Sequence, residues 1–307
     1  MNINRNENNQ CLRSNYNDAC VAENKIPVKI IFGGTVLIKK TRPYIFVRRV
    51  YYALKDWDTT IDNIRIAGEI RPYKNKHKNE PCVIVGNGPS LTAEDLTRLY
   101  DLNVSTFACN RIHLIFPQTN WRPTYYFISD PKIIMQYEGE IEGVDPEHRF
   151  FPKRYRDIIA EGVFYNTLEF DWENEGKFSL DASKGIYPAA SVTTEMIQFA
   201  YYMGFNEIYL IGVDFNYNIK QKDDDGTYKY QGENNYFVSG YLKPGEVADI
   251  PNIKANLLGF NAAKDAIEGQ GRIIKNATRG GKLEVFERAD LDRLFLQWEF
   301  NRRNVNK

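Results

Sequence analysis

The sequence has few of the side chains that carry redox, metal or nucleophile chemistry. Its four cysteines form neither a CxxC pair nor a zinc spacing, a usage typical of a reducing compartment. Its histidines are His77, His113 and His148, and their spacing gives neither an HxxxH motif nor a Ser-His-Asp arrangement. The sequence therefore predicts no metal ion and no organic cofactor.

The sequence also has a formal net charge of zero and no long apolar run. Lys plus Arg and Asp plus Glu both number 40, so a global electrostatic attraction to nucleic acid is not supported and no nucleic-acid partner is predicted. No apolar run approaches the ~20 residues of a membrane span, and the N-terminus is polar and asparagine-rich, unlike a secretory signal. With 43% apolar residues to fill a core, the chain is predicted to be a folded cytoplasmic protein.

The composition changes near residue 80. Residues 1–80 are predicted to be an N-terminal appendage, in which residues 26–54 interleave apolar side chains with lysines and arginines, and residues 69–80 form a charged linker. Residues 26–54 could lie peripherally on the anionic inner face of the plasma membrane, or pack as a hairpin or helix with a solvated basic edge. Packing is the favoured interpretation of the two.

Residues 81–307 alternate short apolar runs with segments of helical spacing. This alternation predicts an α/β nucleotide-binding domain built on a Rossmann-like, mostly parallel, doubly wound sheet. The predicted strands are 82–85, 104–109, 125–128, 149–151, 162–165, 207–211 and 272–275, and the predicted helices include 91–100, 193–203, 255–268 and 291–298. Residues 216–250 are polar and rich in glycine and tyrosine, and a loop of this length predicts a functional lid.

Polar residues follow four of the predicted strands, namely Asn87, Asn110, Asp130 and Asp214. Ligands of open parallel sheets bind at the carboxyl ends of the strands, so the coincidence predicts one shared site. Each residue also has a simpler interpretation. Asn110 suits a nucleobase or ribose, or a turn. Asp130 suits a general base or a ligand hydroxyl, although a helix cap is favoured, and Asp214 suits a ligand or loop N–H groups equally.

The turn Gly86-Asn87-Gly88-Pro89-Ser90 joins the first predicted strand to a helix. Its glycines permit a close backbone approach to a ligand, Ser90 or Thr92 can cap the helix, and the free helical N–H groups attract a phosphate. The turn is neither the dinucleotide fingerprint GxGxxG nor a Walker loop. A turn that only starts a helix is an equally good interpretation.

Tyrosines crowd the predicted lid at positions 217, 228, 230, 236 and 241. Phenols can donate hydrogen bonds to a leaving phosphate without a metal ion, and Tyr217, Tyr236 and Tyr241 are the catalytic candidates. Packing within the lid is the alternative for most of these side chains.

Several of these runs resemble known families. VIVGNGPSL at 83–91 followed by Cys109-Asn110, and MGFNEIYLIGVDF at 203–215, resemble the bacterial lipooligosaccharide sialyltransferases. The same elements resemble the broad 6-hydroxymethylpterin diphosphokinase-like family, which includes proteins of surface-polysaccharide loci and is related to flagellin glycosyltransferases. NATRGGKLEVF at 276–286 resembles this second family specifically. The resemblance spans residues 81–295 and implies a Rossmann-like sheet with a lid.

The sialyltransferase resemblance implies a CMP-activated sugar donor and an inverting transfer that needs no metal. It implies that Asn87 lies near the donor phosphate and Asn110 near the cytidine or ribose. Ser191 and Thr193 lie near the donor-binding turn of that family. Tyr217 lies close to a tyrosine that assists the departing phosphate.

The resemblance fails at the general base, which is a lid histidine in the sialyltransferases. Residues 234–241 contain no histidine, so Asp130 is the first substitute and Asp214 the second. The expected function is a glycosyltransferase of capsule or lipopolysaccharide assembly, which passes sialic acid or a related keto-sugar from CMP to a glycan or glycolipid acceptor. The alternatives are an ATP- and magnesium-dependent diphosphokinase that uses both aspartates, and a nucleotide-binding protein without turnover. A homo-oligomer is left open.

Overall fold

The computed structural model describes residues 59–305, with gaps at 143, 145, 220–222 and 224–225. The basic segment 26–54, considered above as a membrane contact, lies outside the described residues. Within the described part of the chain, no helix is both long and apolar enough to cross a lipid bilayer.

Among the described residues, eight parallel strands form a central sheet. They are β1 (Pro81–Val85), β2 (Ser105–Cys109), β3 (Tyr125–Phe127), β4 (His148–Pro152), β5 (Val163–Tyr165), β6 (Glu207–Ile211), β9 (Ile273–Asn276) and β10 (Glu287–Arg288). Their order is β10-β9-β6-β1-β2-β3-β4-β5, and each neighbouring pair is parallel. The predicted Rossmann-like fold is confirmed, and the sheet is wholly parallel.

Helices cover both faces of the sheet. They are α1 (59–70), α2 (Ala93–Asp101), α3 (Pro131–Glu142), α4 (Val192–Tyr202), α5 (Ile253–Glu268) and α6 (Leu291–Val305). Val83 and Val85 of β1 belong to the core formed with α2, α3 and α6, whereas Cys82 and Ile84 belong to the core formed with α1, α4 and α5. Because side chains alternate across a strand, a strand buried on both faces must be apolar throughout, as β1 is.

The strand order reverses between β1 and β6. From β1 the chain builds outward through β2 to β5, and it then returns to β6 on the other side of β1. The loops that follow β1 and β6 therefore leave in opposite directions, and in open α/β sheets such a switch point is where ligands bind. The predicted glycine turn and Asp214 both lie at this switch point.

Residues 69–80, predicted as a linker, are part of the folded domain. Ile70 is fully buried, and a short 3-10 helix, Arg71–Tyr73, follows it. The backbone N–H groups of Asn75 and His77 donate to the carbonyls of Tyr202 and Met203, at the end of α4. The charge pattern alone did not indicate this packing, because most of the charged side chains remain on the surface.

The predicted lid contains a two-stranded antiparallel ribbon, β7 (Thr227–Lys229) and β8 (Val247–Asp249). Tyr228, Tyr230 and Tyr241 are buried in the same core as α2 and α3. Lys132 of α3 forms an ion pair with Asp249 at 2.5 Å. The lid is therefore closed onto α3 in this structure.

Candidate active site

Two glycine turns interlock at the switch point. The N–H of Gly88 donates to the carbonyl of Gly212 at 2.8 Å. A Cβ on Gly86 would lie 2.3 Å from the Gly212 oxygen, and a Cβ on Gly88 would lie 1.9 Å from Oδ2 of Asp214. The sequence predicted that these glycines permit the close approach of a ligand. The structure gives a different reason, which is the close approach of the loops after β1 and β6.

Substituting Gly88 by alanine should lower the free energy of unfolding by about 1–3 kcal/mol, because the methyl group overpacks the turn. Gly68 of α1 is the matched control, since a Cβ there meets no heavy atom of the described chain within 4 Å. Gly68→Ala should stabilise the exposed helix by up to ~1 kcal/mol. Urea unfolding of both variants measures the difference, and equal effects would contradict the interlocked turns.

Asp214 holds the turn that contains Gly88. The side chain is 9% exposed, and its Oδ2 accepts hydrogen bonds from Oγ and N–H of Ser90, at 2.8 and 3.4 Å. The sequence left open whether Asp214 meets a ligand or loop N–H groups. In this structure Oδ2 of Asp214 binds the loop and positions the turn.

The N–H groups of residues 88–90, predicted to cradle a phosphate, make hydrogen bonds within the protein in this structure. The N–H of Gly88 already has an acceptor, the N–H of Ser90 faces Asp214, and Pro89 has no N–H. The start of α2 is also occupied by acidic side chains. Thr92 caps the helix by accepting from the N–H of Asp95, and Glu94 and Asp95 lie in its first turn. Their negative charge already complements the positive end of the helix dipole.

Asn87 and Asn110 present unpartnered amide oxygens at adjacent strand ends. Nδ2 of Asn87 donates to the carbonyl of Cys109 at 3.1 Å, and since a carbonyl only accepts, the orientation of this amide is fixed. Oδ1 of Asn87 and Oδ1 of Asn110 are buried and have no hydrogen-bond partner among the described residues. A buried acceptor without a donor costs about 1–3 kcal/mol, so the pair is suited to a ligand that supplies N–H or O–H groups.

Asp130 caps α3, as the favoured interpretation predicts. Its Oδ1 accepts from the N–H groups of Lys132 and Ile133, at 2.8 and 3.3 Å. Burial raises the pKa of the Asp130 carboxyl above its ordinary value, Asp249 adds to the rise, and the two N–H donors oppose it. Asp130 follows β3, next to the strand that ends at Asn110. A carboxyl with a raised pKa at this position is chemically able to accept a proton from a ligand.

The lid is bonded to both asparagine turns. The N–H of Phe237 donates to the carbonyl of Asn87 at 3.1 Å. The N–H of Arg111, next to Asn110, donates to the Tyr241 hydroxyl at 3.2 Å, and its guanidinium donates to the Tyr241 carbonyl. The lid therefore covers the ends of β1 and β2, and it must open before a ligand can reach the asparagine oxygens.

The three candidate lid phenols lie in one desolvated cluster. The rings of Tyr236 and Tyr241 stack at 3.9 Å, and burial raises the pKa of both phenols well above the ordinary range. Desolvation raises the pKa of Tyr217 to about 12, with contributions from Tyr228 and Asp214. Tyr217 is 43% exposed, so solvent reaches the ring while the hydroxyl end is buried. All three phenols stay protonated at neutral pH and can donate.

Ser191 and Thr193 lie at the start of α4, where the backbone is strained. Ala189 and Ala190 have φ values of +43° and +52°, a left-handed conformation that costs free energy in residues other than glycine. Ser191 is the N-cap residue, and its side chain makes no capping bond within the described residues. Thr193 is buried. The Ser191 hydroxyl is thus not used to cap α4 in this structure.

Sequence reasoning missed Glu195, in the first turn of α4. It is 1% exposed, and Oε2 accepts from the Tyr165 hydroxyl. Burial raises the pKa of its carboxyl to about 7, against the lowering effects of Tyr165, Arg154 and Ser129. The signal that could have found it is a lone carboxylate in the otherwise uncharged helix 192–202. Ser129 directly precedes Asp130, so Glu195 lies behind the candidate site.

Comparison with known proteins gives the family. Residues 58–220 match the family described as MptE-like, 6-hydroxymethylpterin diphosphokinase MptE-like. The chain belongs to this family. No curated protein matches the sequence. Among solved structures, the MAf glycosyltransferase from Magnetospirillum magneticum AMB-1 is similar at a TM-score of 0.44 and 17% identity, over 73% of this chain and 38% of that one. The chain therefore spans less than two thirds of that protein's length.

The description of this family names a diphosphokinase, and transfer of phosphoryl groups from ATP uses magnesium ions. Asp130 and Asp214, the predicted ligands, follow β3 and β6, which lie three places apart in the sheet, or about 14 Å at the usual strand spacing. Among the described residues, no three His, Cys, Asp or Glu side chains are grouped to hold a metal. In this structure Oδ1 of Asp130 accepts from the N–H of Lys132 and Oδ2 of Asp214 accepts from the Ser90 hydroxyl, and the pair's role as magnesium ligands stays a prediction.

Proposed function

We propose that the chain is a glycosyltransferase of bacterial surface-glycan assembly, which transfers sialic acid or a related keto-sugar from a CMP-linked donor. The observation that carries this proposal is the pair of buried amide oxygens on Asn87 and Asn110 beneath a lid of phenols. The cytosine amino group and the ribose hydroxyls supply the donors that such oxygens lack. The donor enters when the lid opens, and the lid then closes over it.

The lid phenols stabilise the departing phosphate, which in many transferases is the role of a metal ion. Tyr217, Tyr236 and Tyr241 donate hydrogen bonds to the phosphate as it departs, and their raised pKa keeps the donating protons in place. The N–H groups of residues 88–90 make hydrogen bonds within the protein, so we propose that the phosphate contacts the lid. Asn87, which the resemblance placed near the phosphate, then contacts the nucleoside. Ser191 and Thr193 complete the donor site.

Asp130 is the proposed general base. The acceptor hydroxyl attacks the anomeric carbon as the bond to the CMP oxygen breaks, CMP leaves with the bonding electrons, and the hydroxyl proton passes to Asp130. The anomeric centre inverts because attack and departure occur on opposite faces. A base of this kind contributes roughly 10²–10⁴-fold in rate.

The family favours a second candidate, which is pyrophosphate transfer from ATP to a pterin alcohol. A pterin also carries an amino group that could donate to the asparagine oxygens. Magnesium would then arrive with the ATP phosphates, with Asp130 and Asp214 as its predicted carboxylate ligands. A third candidate is a nucleotide-binding protein without turnover.

A thermal-shift panel of CMP, UDP, GDP and ATP, with magnesium or with chelator, separates these candidates. We expect CMP to raise the melting temperature in chelator, because the proposed site needs no metal. A rise with ATP and magnesium but none with CMP would contradict the glycosyltransferase. A rise with CMP, but no hydrolysis or transfer across CMP-sugar donors and glycan acceptors, would indicate a binding protein.

A further inference from the structure

A surface groove of about 580 Å³ lies between two elements that flank β2 and β3. It is formed by the 3-10 helix Ile112–Gln118 and by α3, and its lining includes His113, Phe116, Arg122 and Glu140. One end of the groove, at His113, lies three residues after Asn110, which follows β2. Its other end, at Phe116 and Arg122, lies toward the start of β3. A volume of this size accommodates one or two sugar rings.

The groove has a flat side and a polar side. On the flat side, the Arg122 guanidinium lies over the Phe116 ring at 4.0 Å, and the pair presents a stacked planar surface. On the polar side, Oε2 of Glu140 accepts from Nε2 of His113 at 3.1 Å, and the Glu140 side chain is 41% exposed. Burial lowers the pKa of His113, which keeps the ring neutral, and Nδ1 is left as an acceptor without a partner among the described residues.

Sugars have an apolar face and polar edges, which correspond to the flat side and the polar side of the groove. A pyranose ring has an apolar C–H face that packs on planar side chains, and hydroxyl edges that donate to carboxylates and imidazole nitrogens. A guanidinium and a carboxylate occur together here, so the groove favours no strongly charged ligand. We propose that this groove binds the acceptor sugar, with the Arg122–Phe116 pair under its apolar face and Glu140 and His113 at its hydroxyl groups.

Glu140 also connects the groove to the lid. Its Oε2 accepts from Nη2 of Arg111 at 2.7 Å, and the same guanidinium donates to the carbonyl of Tyr241. Hydrogen bonds therefore connect Glu140 in the groove, through Arg111, to the lid. A sugar that binds Glu140 would lie beside the closed lid. The proposal rests on the proposed function, because an acceptor presupposes a transferase.

The test measures sugar binding in the full-length protein by saturation-transfer difference NMR. The probes are the methyl glycosides of the common hexoses and N-acetylhexosamines. At least one glycoside should bind, and Phe116→Ala should weaken it about tenfold through loss of the planar surface. Phe116→Leu, which keeps the bulk, should weaken it similarly. Phe300→Ala is the matched control, because Phe300 is exposed on α6.

The proposed sugar site would be contradicted if no glycoside binds, or if the Phe116 variants bind a glycoside with the same affinity as the wild type. Titration of CMP into the same variants separates this result from the proposed function. Glycoside binding that depends on Phe116 supports the groove even where CMP does not bind, and in that case the proposed function alone fails.

Discussion

Glu195→Gln should make the protein more stable than the wild type above pH 7 and leave it no different below pH 4. Burial raises the pKa of this carboxyl from 4.5 to about 7 in the folded protein. The neutral form is favoured by folding, so the stability it contributes is present at pH values below 4.5 and is lost as the pH rises through 7. A shift of this size corresponds to about 3 kcal/mol.

Glutamine resembles the protonated acid and can still accept from the Tyr165 hydroxyl, so the variant lacks this titration. Urea unfolding of both proteins between pH 4 and pH 8 gives the difference in free energy of unfolding. Taking the difference cancels the other titrating groups. Glu161→Gln, at an exposed glutamate, should show no such trend. Parallel curves for Glu195→Gln and the wild type would show that the carboxyl is solvated.

Asn87→Leu should weaken CMP binding about 100-fold, because the variant loses the Oδ1 acceptor and the bond that orients it on Cys109. Leucine is close to asparagine in size, so the turn after β1 keeps its volume. Isothermal titration calorimetry in chelator measures the dissociation constant, and urea unfolding shows that the variant is folded.

Asn206→Leu is the matched control for this prediction. Oδ1 of Asn206 is also buried without a partner among the described residues, but Asn206 directly precedes β6, at the opposite edge of the sheet. The control should bind CMP as the wild type does. Equal losses in the two variants would mean that the effect is one of stability rather than of contact with the nucleotide.

The sheet could be predicted from the sequence because its central strands are buried on both faces. The predicted strand 207–211 has the same limits as β6, since the apolar residues 208–211 lie between Glu207 and the turn at Gly212. The 3-10 helix Ile112–Gln118 and the ribbon of the lid were not predicted. Their conformations depend on contacts with α3 and with the strand ends, which no local pattern records.

The positions of the candidate residues in the sheet could be predicted, but their contacts could not. Strand ends carry polar residues, and this located Asn87, Asn110 and Asp130 correctly at one edge of the sheet. The hydrogen bond of the Gly88 N–H could not be predicted, because its acceptor comes from Gly212, 124 residues away in the chain. Glu195 was missed because a glutamate in a helix is ordinarily solvated, and only the packing of β5 buries it.

The most direct test of the nucleotide site is a crystal structure of the protein with CMP in chelator. We expect cytosine or ribose donors within hydrogen-bond distance of Oδ1 of Asn87 and Oδ1 of Asn110, and the phosphate facing the hydroxyls of the lid tyrosines. CMP bound away from the ends of β1 and β2, or with its phosphate on the backbone of residues 88–90, would contradict the account.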